Sequence, residues 1–164
     1  MNTQHIWKKA EQRRVLLIPA RVSEISGQPV SFLFTLGQIE DIVREMPVWT
    51  VPFAPSFVKG LTLWRNQPVP VICLEECLGM PGVPASDFGR MVVVRTRQQR
   101  GILYADTDMR LIHVPEFYAP AEEIPWISGK HLVHGVYACA HGFLVAVRME
   151  AVLSGQCFEV PLPA

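Results

Sequence analysis

The chain has 164 residues, 49% of them hydrophobic, with 15 Lys and Arg balanced by 15 Asp and Glu. That length suits one domain, or two small lobes sharing a core, and the cancelled charge supplies no field to attract nucleic acid or anionic lipid, so a protein partner fits better. No apolar run approaches the roughly 20 residues that span a bilayer, and the opening MNTQHIWKKAEQRR lacks the apolar core of a signal peptide, which predicts a cytoplasmic address without direct membrane insertion.

Residues 1–14 read as a polar, flexible tail in which Lys8, Lys9, Arg13 and Arg14 cluster. From Val15 onward short β-type runs dominate, at 15–22, 30–36, 69–74, 91–96 and 101–106, separated by Gly, Pro, Asn or Ser. In QIEDIVREM the spacing of Ile39, Ile42 and Val43 predicts a two-turn helix on which they share a face, and CLEECLG predicts a second. Residues 80–90, MPGVPASDFGR, carry two prolines and two glycines and read as a mobile connection. HGVYACA and FLVAVRM flank His141-Gly142, where glycine can supply the positive φ of a tight hairpin turn. The whole predicts an all-β fold with short helical insertions, arranged as two small five-stranded barrels whose closure removes exposed sheet edges. No internal repeat proves duplication.

The residues that could carry chemistry form no complete set. Cys73, Cys77, Cys139 and Cys157 have no secretory context and no paired Cys-x-x-Cys spacing, so reduced thiols are expected and no disulfide framework. His131, His134, Cys139 and His141 could all bind zinc, yet their spacing fits no finger, and a regular strand would put His134 and Cys139 on opposite faces. A solvated hairpin with turn histidines is the simpler reading. Cys73 or Cys139 would need a histidine and an orienting acid to act as a nucleophile, and no local signature supplies them. No glycine loop cradles a phosphate, and Glu122-Glu123 reads as a solvated loop. The expectation is a protein that is not an enzyme and has no cofactor; a small Cys/His metal- or thiol-dependent enzyme is the rival.

The most informative stretch is PSFVKGLTLWRNQPVPVICLEE, residues 55–76, which sets Arg65 in an apolar, proline-bounded segment. An always-charged planar guanidinium can fix loop carbonyls or a carboxylate inside the fold, or reach across an interface. Trp64 beside it offers a large apolar area and one donor, suited to an interface or to a core plug. Asn66 tolerates a left-handed backbone better than most residues.

KGLTLWRNQPVPVICLEECLG resembles the central motif of the CheW-like domain family, whose pattern is a glycine, about two apolar positions, Asn-Leu-Arg-Gly and an apolar strand ending Val-Asp-Leu. Gly60 matches the leading glycine, Leu63 stands for the asparagine, Trp64 for the leucine, Arg65 for the arginine and Asn66 for the second glycine. Ile39-Glu40-Asp41-Ile42 is similar to the family's Val-x-Glu-Ile, and Ala105-Asp106 to the Val-Asp pair of a later strand. The likeness runs over about residues 15–153, with a single domain of two SH3-like lobes implied over 15–164 and their connection near 80–90. It implies an adaptor bridging the regulatory domain of a CheA-type histidine kinase and the cytoplasmic tip of a methyl-accepting chemoreceptor, recruited to membrane receptor arrays. The partner-binding residues so implied are Gly60, Leu63, Trp64, Arg65 and Asn66, with Ile39, Ile42 and Val43 lining an apolar groove for a receptor helix; simple burial of the last three is the alternative. Leu63, Cys73 in the aspartate position and Arg148 in place of another aspartate depart from the pattern. They imply altered polar contacts and leave a binding module in another complex as the alternative function.

Overall fold

The computed structural model describes residues 14–21, 27–80, 89–105, 108–115, 118–121 and 127–154. The apolar runs become eleven strands: β1 (Arg14–Pro19), β2 (Val30–Thr35), β3 (Ile39–Val43), β4 (Val58–Trp64), β5 (Gln67–Ile72), β6 (Arg90–Arg95), β7 (Arg100–Ala105), β8 (Arg110–His113), β9 (Ala119–Pro120), β10 (Val133–Cys139) and β11 (Gly142–Val147). Two short helices, α1 (Leu74–Cys77) and α2 (Met149–Leu153), accompany them. One sheet has the order β8-β1-β2-β11-β10-β9 and the other β3-β6-β7-β5-β4. The first lobe is thus five strands plus the two-residue β9, and the second is five strands.

The lobes interleave along the chain. β1 and β2 begin the first sheet, β3 to β7 build the whole of the second, and β8 to β11 return to the first. The passages between sheets therefore fall at 35–39 and 105–110. The segment 80–90, expected to connect the lobes, has residues 81–88 outside the described residues, and its flanking strands β5 and β6 belong to one sheet. Of the expected tail 1–14, residues 1–13 also lie outside them, while Arg14 opens β1.

The apolar runs are continuous because their strands are covered on both faces. Leu16, Ile18, Phe32 and Phe34 of the first sheet join Ile72, Val92, Val94 and Leu103 of the second in one shared core. Their alternating neighbours face the other way: Val15, Leu17 and Leu144 form a second cluster, and Val69, Val71, Met91, Val93 and Ile102 a third. Fully burying each such side chain contributes about 1.5–3 kcal/mol, so this two-faced burial carries most of the fold's stability.

A polar seam joins the lobes beside that core. The buried Glu75 carboxylate, on α1, accepts the Arg21 backbone N–H at 3.0 Å and the Cys73 thiol at 3.4 Å. Arg21 Nη2 also donates to the Ala105 carbonyl at 3.4 Å. Burial, reinforced by the neighbouring glutamates and opposed by a backbone hydrogen bond from Glu76, pushes the Cys73 thiol up to about 12. Cys73 is thus held protonated, the opposite of what a nucleophile needs. Native protein at about pH 8 should leave Cys73 unlabelled by iodoacetamide, with full labelling only in denaturant, as read by peptide mass mapping; rapid native labelling would contradict this burial.

One predicted helix becomes a strand. Ile39, Ile42 and Val43 lie on strand β3 rather than on a helix, paired with β6 across a bulge between Ile39 and Asp41. His134 and Cys139 are separated by five residues of β10, about 16 Å of strand, too far to share one metal ion. Among the described residues no group of three or more His, Cys, Asp or Glu side chains could hold a metal. No described helix is long and apolar enough to cross a membrane.

Candidate functional site

β4 and β5 form a hairpin with register Trp64↔Gln67, leaving Arg65 and Asn66 as a two-residue turn. Their φ values are 49° and 62°, the paired positive values of a type I′ turn, whose twist matches that of the strands. Asn66 accepts this conformation readily, as its place opposite a family glycine implied. Arg65 does not: a left-handed residue with a bulky side chain costs about 1–2 kcal/mol. Strain at an exposed turn is a pointer to function.

The Arg65 guanidinium lies 5.3 Å from the Trp64 ring centroid and its Nη1 is 3.4 Å from Glu40 Oε1. Its side chain remains 67% exposed, whereas that of Glu40 is 8% exposed. The stronger partner of Glu40 is Arg100, whose Nε donates to Oε2 at 2.6 Å. That hydrogen bond lowers the Glu40 pKa against the opposing effect of burial, with the charges of Arg100 and Arg65 adding to it. The buried Trp64 Nε1 makes no hydrogen bond of ordinary geometry, yet its N–H dipole also favours the Glu40 carboxylate.

The pairing leaves Arg65 with one long contact and Glu40 satisfied without it. Because the Arg65 end of the pair is solvated and Arg100 still holds Glu40 when Arg65 departs, Arg65 can leave Glu40 for a partner at little cost. Because the folded Glu40 lies below its ordinary 4.5, its contribution to stability is present above that value and is lost as the pH falls through the folded-state pKa. Glu40→Gln should therefore flatten the acid limb of the stability curve below pH 4.5 in denaturant titrations. An acid limb of unchanged slope would show that the ion pairs do not form.

The outer face of the hairpin is apolar. Leu61 and Leu63 point outward, with Leu63 55% exposed. Their cross-strand partners are Pro70 and Pro68, and cross-strand partners share a face. Trp49, 56% exposed, adds to this face through a bridge to Leu61, with N–H to carbonyl bonds of 2.8 Å in both directions. Val51 and Phe53 are also exposed on the loop that follows Trp49. A run of large apolar side chains on an edge hairpin is a docking surface more often than an accident of composition.

Gly60 has a different task. Its φ is 148°, and a Cβ there would lie 2.2 Å from the Trp49 carbonyl oxygen, so it permits the close approach that seats Trp49. Val43 and Trp64 both pack on the cluster around Val69 and Val71, while Ile39 packs on the shared core and Ile42 stays exposed. The structure thus gathers Leu63, Trp64, Arg65 and Asn66 at the hairpin tip, sets Gly60 at its base, and divides Ile39, Ile42 and Val43 among separate environments. Sequence reasoning did not single out Arg100, Trp49 or the role of Glu40. The apolar run between Pro47 and Pro52 was the available signal for Trp49; nothing local marks Arg100.

The family model for the CheW-like domain matches residues 22–154. The chain is 29% identical over 151 residues to the chemotaxis protein CheW of Klebsiella aerogenes, covering 84% of this chain and 90% of that one. Its fold is similar to the crystal structure of the scaffolding protein TtCheW from Thermoanaerobacter tengcongensis, with a TM-score of 0.67, 18% identity, and coverage of 92% of this chain and 90% of that one. Two sheets built on the interleaved order described above, and a family match spanning both, place this chain in the CheW-like domain family.

Proposed function

We propose that the chain is a non-catalytic adaptor that couples a chemoreceptor to a CheA-type histidine kinase, with the outer face of the β4–β5 hairpin as a docking surface. The family assignment supports a chemotaxis scaffold. The observation that carries the docking reading is the apolar face of Trp49, Leu61 and Leu63, ending at the exposed, strained Arg65. Large apolar anchors surrounded by polar groups that exclude water are the composition of interface hot spots. Leu63, standing where the family pattern has asparagine, trades hydrogen-bonding capacity for apolar area, and this favours a kinase or receptor whose contact surface is itself apolar.

The adaptor works by geometry: it holds kinase and receptor in one relative orientation, and any shift between its lobes that one partner favours is felt by the other. The test is assembly from purified parts, the kinase regulatory domain and a cytoplasmic receptor fragment from the same organism. With the chain present, the three should co-elute as one species. Equal assembly of kinase and receptor in its absence would sink the proposal.

A further inference from the structure

The second sheet is incompletely closed at one end. β5 and β7 pair in parallel only at Val71↔Ile102 and Ile72↔Leu103, although β5 begins at Gln67. Pro68 and Pro70 have no N–H to donate across the remaining gap. The β6–β7 turn stands at this gap, closed on itself by the Thr96 N–H to the Gln99 carbonyl at 2.8 Å. Between them lies a cavity of about 390 Å³ whose lining includes Arg95, Arg97 and Arg100 with Gln67, Gln98 and Gln99, and, among the described residues, no acidic side chain.

The arginines here are not equally committed. Arg100 holds Glu40, and Arg95 Nε donates to the Gly37 carbonyl at 3.1 Å. Arg97 has no hydrogen bond or ion pair among the described residues. Arg65 sits two residues before the cavity-lining Gln67, sharing Glu40 with Arg100. Among the described residues, two of these four guanidiniums pair with one carboxylate, Glu40, and the four concentrate positive charge in a chain that is neutral overall. Their mutual repulsion favours an external anion.

The surroundings identify the kind of anion. Guanidinium forks match carboxylates in bidentate geometry, and glutamine amides can bind both groups of a peptide backbone. Pro68 lines the cavity and is the cross-strand partner of Leu63, so the charged cavity borders the apolar docking face. Apolar centre beside polar rim is how protein interfaces are built. Among the described residues no aromatic side chain lines the cavity to stack a base, and a neutral chain lacks the broad basic surface of a nucleic-acid binder.

We propose that this cavity receives an acidic peptide segment, a cluster of Asp or Glu side chains, from a protein partner seated on the hairpin face. The proposal rests on the docking reading for its neighbouring surface, but its test does not. The probe is a fluorescein-labelled decapeptide of alternating glutamate and alanine, titrated with the full chain and followed by anisotropy, beside the same peptide with glutamine in place of glutamate. The glutamate peptide should bind at least roughly ten-fold more tightly, and Arg97→Glu should remove most of that preference while leaving the thermal midpoint unchanged. Raising NaCl from about 50 to about 300 mM should weaken the glutamate peptide and not the glutamine one. Lys130→Glu, on the first lobe, should change nothing.

Equal affinity for the two peptides, indifference to Arg97→Glu, no binding at millimolar chain, or tighter binding of a single-stranded DNA decamer would each overturn the proposal. Loss of peptide binding with kinase assembly intact removes this inference alone. Failure of assembly with peptide binding intact removes the adaptor reading alone.

Discussion

Gly60→Ala should lower the unfolding free energy by about 3 kcal/mol or more, the sum of backbone strain at positive φ and steric overlap. The added Cβ would sit 2.2 Å from the Trp49 carbonyl oxygen and 2.8 Å from Val48 Cγ1, and that oxygen is fixed by the Leu61 N–H. Neither partner is the far end of a flexible side chain free to step aside. Relief must come from breaking the Trp49–Leu61 bridge, which would also scatter the apolar face of Trp49, Leu61 and Leu63. For a chain of this size the thermal midpoint should fall by about 6–12 °C. Gly37→Ala is the control, since a Cβ there meets nothing within 4 Å and φ is not positive, so its midpoint should hold or rise slightly. A Gly60→Ala protein as stable as the parent would mean that Trp49 is not seated as described.

The second large effect separates binding from folding. Leu63→Asp puts a carboxylate in the centre of the apolar hairpin face, where a docked partner would have to desolvate it. Loss of a buried anchor together with an unpaired charge typically costs 2 kcal/mol or more, about 30-fold in affinity. Because Leu63 is more than half exposed in the isolated chain, its effect on stability should stay within about 1 kcal/mol, chiefly the poorer strand preference of aspartate. Gly60→Ala should disturb fold and proposed docking together, whereas Leu63→Asp should disturb the proposed docking alone. The pair therefore distinguishes the two roles that one sequence motif combines.

Much of the fold was legible because apolar runs buried on both faces announce themselves in one dimension. VLLIP, VSFLF, MVVVR and GILYA each lie within a described strand. Residues 39–43 were misleading for a definable reason: the bulge at Glu40 breaks the two-residue period, so Ile39, Ile42 and Val43 acquire a spacing that mimics a helix. β8 and β9, four and two residues long, owe their state to the strands beside them and had no signal of their own. The interleaving of the lobes was equally hidden, since it is a property of pairing between segments far apart in sequence.

The site divides in the same way. The left-handed turn was readable from Asn66, because conformational tolerance belongs to the residue itself. Along the chain no acid lies beside Arg65; its contact with Glu40 spans 25 residues and that of Arg100 spans 60. Such pairs arise only when the fold brings β3 beside the β4–β5 turn and the start of β7. The closing histidines and Cys139, by contrast, are spread over the 3-10 turn before β10, β10 itself and its hairpin turn, where strand length keeps His134 from Cys139.

The proposed docking of a CheA-type kinase or its receptor falls on the hairpin face of Trp49, Leu61 and Leu63. Calorimetric titration of the kinase regulatory domain, and separately of the receptor tip fragment, against the native chain and Leu63→Asp tests it most directly. The account predicts that at least one partner binds the native chain and binds Leu63→Asp about 30-fold or more weakly, the two chains melting within a few degrees of each other. Equal affinity of both partners for the two chains would contradict it.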